Sequence, residues 1–122
     1  MLTMWYVNSS YKHKIVFSQL IGEMTSQGIE IIKYKTPLKL HNIIADGFII
    51  YKTDTVKMAF VEVERCKSFD IKKYEDLYYS RAWKSNFEKF PRIIVASDKK
   101  VNTNDKFDFT ICKLDLSDLN IG

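Results

Sequence analysis

The stretch that most constrains this chain is Lys57-Met58-Ala59-Phe60-Val61-Glu62-Val63-Glu64-Arg65, because it alternates. A period of two is that of a strand, and it places Met58, Phe60, Glu62 and Glu64 on one face. Both glutamates then share a face with apolar side chains, where a charge needs a partner, a metal or water. The preceding run, residues 47–52, reads as the partner strand, and Thr53-Asp54-Thr55 is polar enough to be the turn between them. Folding the chain back at that turn brings Asp46 level with Glu62. Asp46, Glu62 and Glu64 can therefore gather around one divalent cation. Acidic residues at strand ends are also common in solvated sheets, so the pattern by itself admits a purely structural reading.

A chain of 122 residues fits one domain, residues 1–122, large enough for a real core and too small for two. Its composition, 46% hydrophobic and 28% charged, is that of a soluble globular protein. No eighteen apolar residues run together, and Met1-Leu2-Thr3-Met4-Trp5 lacks the basic and apolar regions of a signal peptide. A cytoplasmic location, with no membrane partner, is expected. The net charge of +4 permits binding to a polyanion such as DNA without demanding it. The lysines are spread as pairs and singles, among them Lys12, Lys14, Lys72, Lys73, Lys99 and Lys100, which suits a broad cationic face or ordinary solvated lysines. Cys66 and Cys112 have no second cysteine or histidine at zinc spacing, so no zinc site is encoded. Both read as thiols, Cys112 inside a strand and Cys66 two residues beyond Glu64.

Along the chain, Asn8-Ser9-Ser10 offers a helix N-cap, and Val16, Phe17, Leu20, Ile21 and Met24 recur at helical spacing until Gly28. His13 falls at the N-terminal end of that apolar stripe. Residues 29–34 form a first strand ended by Thr36-Pro37, and the two strands already described follow. After Ser68, the spacing of Ile71, Tyr74, Leu77, Tyr78 and Ala82 predicts a second amphipathic helix of about four turns, closed by Phe90-Pro91. Residues 92–96 read as a strand buried on both faces, as a parallel strand would be, and residues 107–114 as a last strand. The resulting α/β order is αβββαββ: a mixed central sheet flanked by two helices, with a three-strand meander and a fourth strand parallel to the third.

This arrangement resembles the restriction-endonuclease-like PD-(D/E)XK superfamily, and within it the replication-relaxation family of plasmids and mobile elements. The likeness rests on His13 in the first helix, on Ala45-Asp46-Gly47-Phe48 where the family has Pro-Asp-Gly-aromatic, and on Phe60-Val61-Glu62-Val63-Glu64-Arg65 where it has aromatic-x-Glu-x-Asp-Arg. Lys73-Tyr74 and Phe90-Pro91-Arg92-Ile93-Ile94-Val95 match its later parts, so the likeness covers about residues 11 to 97. Ala45 replaces the usual proline, and Glu64 stands where nucleases of this fold usually carry lysine. The winged-helix segment often found before this domain in the family is not seen here, which implies a stand-alone relative acting with a partner.

The resemblance implies metal-dependent phosphodiester hydrolysis of DNA, in replication or mobilisation of a plasmid, phage or other mobile element. Asp46, Glu62 and the Val63 carbonyl would hold magnesium or manganese, both of which prefer oxygen ligands. Glu64 would orient or deprotonate the water. Lys73 or its neighbour Lys72 would reach the phosphate from the second helix, although a lysine pair at a helix start is often a solvated edge. His13 would resemble the metal-binding histidine of viral cap-snatching endonucleases, the alternative being a satisfied, half-buried imidazole. Glu23 is a further acid on the first helix, Tyr74 reads as core, and His41 carries no assignment. A different class of function remains open on the same fold: a catalytically inactive module that binds DNA or a replication or host protein. A homodimer is compatible with either.

Overall fold

The alternating run becomes the axis of the sheet. In the computed structural model, which describes residues 2–65 and 67–121 with side chains from residue 14 onward, that run is strand β5 (Val56–Glu64), buried throughout residues 59–63. Before it come helix α1 (Leu2–Ser26), strand β1 (Glu30–Lys35), a hairpin of β2 (Leu38–Leu40) and β3 (Ile43–Ala45), and strand β4 (Gly47–Lys52). After it come helix α2 (Ile71–Ser80), a single 3-10 turn (Ala82–Ser85), β6 (Arg92–Ser97) and β7 (Phe109–Cys112).

The main sheet has five strands in the order β1-β4-β5-β6-β7. β1, β4 and β5 form the antiparallel meander expected from the sequence, and β6 returns through α2 to lie parallel to β5. β7 then adds in parallel at the far edge. The molecule is a single α/β domain with a mixed sheet and two helices, as the element order predicts.

Because side chains alternate across a strand, β5 feeds two separate cores. Ala59, Val61 and Val63 pack with Val16, Phe17, Leu20 and Met24 of α1. Phe60 packs on the other face with Tyr74 and Leu77 of α2 and with Phe48, Phe69 and Trp83. β6 supplies both cores, Ile94 and Ala96 to one and Ile93 and Val95 to the other, which is why it reads as an unbroken apolar run.

The structure corrects several boundaries. α1 runs from Leu2 straight through Asn8-Ser9-Ser10, because these residues cost a helix interior only about 0.5 kcal/mol each, too little to stop it. The connector before Asp46 is a second, two-stranded sheet, with Leu38 opposite Ala45 and Leu40 opposite Ile43. α2 is shorter than expected. Arg81 adopts a left-handed conformation (φ 61°) and its N–H closes on the Tyr78 carbonyl, so the helix ends at Ser80 and Ala82 lies outside it. β7 is confined to Phe109–Cys112, with Phe107 and Leu114 beyond its ends. Among the described residues no helix is long and apolar enough to cross a membrane.

Candidate metal centre

Strand register sets the site. Gly47 pairs with Val61, so Asp46, one residue earlier, lies level with Glu62 at the open end of the β4–β5 pair. Two contacts fix Asp46. Its carbonyl accepts the Thr36 hydroxyl at 2.9 Å, and its Oδ2 accepts the Val63 backbone N–H at 2.7 Å. Gly47 lets this corner close against α1: a Cβ there would land on the Phe17 ring.

Glu62 is the most enclosed of the acids, 1% exposed beside Phe60. The first turn of α2 meets it with two donors on adjacent residues. Lys73 Nζ donates to Oε1 at 3.0 Å, and the Tyr74 hydroxyl donates to Oε2 at 2.8 Å. Lys73 also donates to the Ile44 carbonyl of the hairpin at 3.0 Å, so its ammonium is held between β3 and β5. The N-terminus of α2 is itself fixed by Asp70, whose side chain accepts the Lys72 N–H.

Glu64, two residues along the same face, is half-buried, and no hydrogen bond to another described residue engages it. One carboxylate oxygen from each of Asp46, Glu62 and Glu64 lies within 4.8 Å of the others. The three acids named from the sequence thus converge, and Lys73 joins them.

The electrostatics are those of a crowded acidic cluster. Burial pushes the Glu62 carboxyl up to about 7, with the Asp46 charge adding to the rise and Lys73 and Tyr74 holding it back. Glu64 is raised as well, first by burial and then by Asp46, against Lys73 and Lys67. Tyr74 is pushed well above its ordinary value by burial and by the Glu62 charge it faces. A divalent cation would relieve all three effects together.

Opposite ligands of a magnesium-sized cation lie about 4.2 Å apart, so oxygens within 4.8 Å need only a small inward rotation. Two carboxylate oxygens offer about four lone-pair positions. Lys73 and Tyr74 use two of those on Glu62, and the Val63 N–H uses one on Asp46. Acceptor capacity remains on all three acids.

The other expected residues sort as follows. Val63 is in the site through its backbone. The His13 side chain and Cys66 lie outside the described residues. Glu23 sits near the C-terminal end of α1, its carboxylate meeting Gln27 at 3.4 Å, and is not in the cluster. His41 meets Asn86 at 3.1 Å, away from the acids. Sequence reasoning missed Tyr74 and Thr36 as holders of Glu62 and Asp46. Tyr74 carried a usable signal, since a tyrosine at a core position of a helix still needs a partner for its hydroxyl. Thr36 carried none, because its role depends on how β1 leads into the hairpin.

Comparison with known proteins adds no neighbour to this geometry: no family model, no curated protein and no solved structure matches the chain.

Proposed function

We propose that this chain is a metal-dependent phosphodiesterase of the restriction-endonuclease-like plan, acting on DNA in a plasmid, phage or other mobile element. The observation that carries the proposal is the convergence of Asp46, Glu62 and Glu64 on one face at the end of the meander, with the Lys73 ammonium beside them. The topology supports it too, since a meander followed by a helical crossover to a parallel strand is what the sequence resemblance implies.

Asp46 and Glu62 would hold the magnesium or manganese ion. The Val63 carbonyl leaves β5 on the same edge as the N–H that meets Asp46, which makes it the natural third oxygen. When bound, such an ion offsets phosphate charge and makes water a stronger nucleophile. Glu64, which lies on the same face within ligand distance of Asp46 and Glu62, would orient the attacking water or take its proton. Lys73 supplies positive charge toward the phosphate from α2, at the position where the family's strand lysine is missing.

The test is nicking or cutting of supercoiled, linear and single-stranded DNA with magnesium or manganese, comparing the wild type with Asp46→Ala and Glu62→Gln. Cleavage by the wild type alone is expected. Intact DNA in every combination would remove the enzymatic reading.

One observation favours a second reading. Lys73 already neutralises part of the Glu62 charge at 3.0 Å, which a protein without an ion would need. In that case the domain binds DNA or a protein without cutting, and salt-dependent DNA binding survives Asp46→Ala unchanged.

A further inference from the structure

Lys73 and Tyr74 are adjacent on α2, yet they grip Glu62 with different charges. Tyr74 is fully buried and gives Oε2 a neutral hydroxyl at 2.8 Å, whereas Lys73 gives Oε1 a full positive charge at 3.0 Å. The ammonium thus does for Glu62 what a divalent cation would do. Because the Glu62 side chain is 2% exposed, little water screens one cation on it from another. A second, doubly charged cation on this carboxylate is repelled by Lys73 and not by Tyr74.

Lys73 has other partners when it leaves. The same Nζ donates to the Ile44 carbonyl at 3.0 Å and stands 5.3 Å from the centre of the Tyr74 ring, and neither contact needs Glu62. Its side chain is 26% exposed, so a short rotation of a flexible stem carries the charge toward solvent. The acids do not depend on it for their placement. Asp46 is fixed by Thr36 and the Val63 N–H, and Glu62 keeps Tyr74 on Oε2.

We propose that Lys73 gates the carboxylate site: its ammonium and a divalent cation are mutually exclusive partners of Glu62, and binding of the cation drives Lys73 off Oε1. The displaced ammonium is then free to meet an anion, so the charge that serves the phosphate is released only by loading of the site. Such coupling is reciprocal. Whatever factor Lys73 takes from the affinity for the cation, the cation takes from the seating of Lys73. This inference rests on the metal-binding part of the reading above and names how that same site is regulated.

Two measurements at pH 9, where Glu62 is ionised, test the gate without reading cleavage. Calorimetry compares magnesium binding to the wild type and to Lys73→Met, which keeps an apolar stem and removes the charge. The variant is expected to bind about tenfold more tightly. Pulse acetylation with peptide mass spectrometry follows Lys73 in the unaltered chain, with exposed Lys72 as the internal reference. Saturating magnesium should speed labelling of Lys73 by about three- to tenfold and leave Lys72 unchanged. In Glu62→Gln, Lys73 should label fast with or without magnesium. Equal or weaker binding by Lys73→Met, or a labelling rate that magnesium does not move, overturns the gate and leaves the metal site standing. Magnesium binding to neither protein overturns both. A gate that behaves as expected in a chain that leaves DNA intact sinks only the hydrolytic reading.

Discussion

Replacing Glu62 by glutamine should stabilise the protein at alkaline pH and change it little at pH 5. Glu62 has an ordinary value of 4.5 and is raised to about 7 by burial, with Lys73 opposing and Asp46 assisting. Between those limits the folded chain holds a proton that the unfolded chain has lost, so stability falls as pH rises. The cost is absent below pH 4.5 and complete above about pH 7. Each pH unit between the two values is worth about 1.4 kcal/mol, so the full cost is about 3 kcal/mol. Solvent screening takes little off this figure, because the Glu62 side chain is 2% exposed. Glutamine escapes the cost and still offers a carbonyl to Lys73 and an amide to the Tyr74 oxygen. Urea denaturation of both proteins at pH 5 and pH 8, without divalent cations, reads the difference. The variant is expected to gain about 3 kcal/mol relative to wild type between the two pH values. An equal difference at both, or a variant weaker at pH 8, would refute the assignment of Glu62 as a buried, strained acid.

Other outcomes follow from the same contacts. Tyr74→Phe removes the buried donor to Glu62 Oε2 and should cost about 2 kcal/mol at pH 8, where Glu62 is ionised, and less at pH 5, measured by the same denaturation. Gly47→Ala drives a methyl into the Phe17 ring and should cost about 1–3 kcal/mol in thermal or urea unfolding, with a loss of cation affinity because Asp46 moves with it. Manganese should raise the melting temperature of wild type but not of Asp46→Ala, and the rise should shrink as pH falls below about 7 and Glu62 takes up its proton.

The central strand was legible because its pattern is a backbone fact: a period of two survives any packing, and it set the faces of Phe60, Glu62 and Glu64 correctly. The place of Asp46 followed from a short turn between two strands, which leaves little freedom in register. The β2–β3 hairpin was not legible. Its strands are three residues each, and its turn contains His41 at a positive φ of 53° with no glycine or proline to mark it. The end of α2 was hidden for the same reason, since Arg81 takes the left-handed position usually given to glycine. At the site, carboxylates could be named from spacing, but the grip of Lys73 and Tyr74 on Glu62 depends on how α2 docks over the sheet. Neighbours in space that are eleven and twelve residues apart in sequence leave no local pattern.

Anomalous diffraction from crystals soaked in manganese tests most directly whether these acids capture an ion. The prediction is one peak bonded to oxygens of Asp46 and Glu62 with Glu64 adjacent, lost in Asp46→Ala crystals. A well-ordered site with no peak, and with Lys73 still seated on Glu62 at saturating manganese, would contradict it.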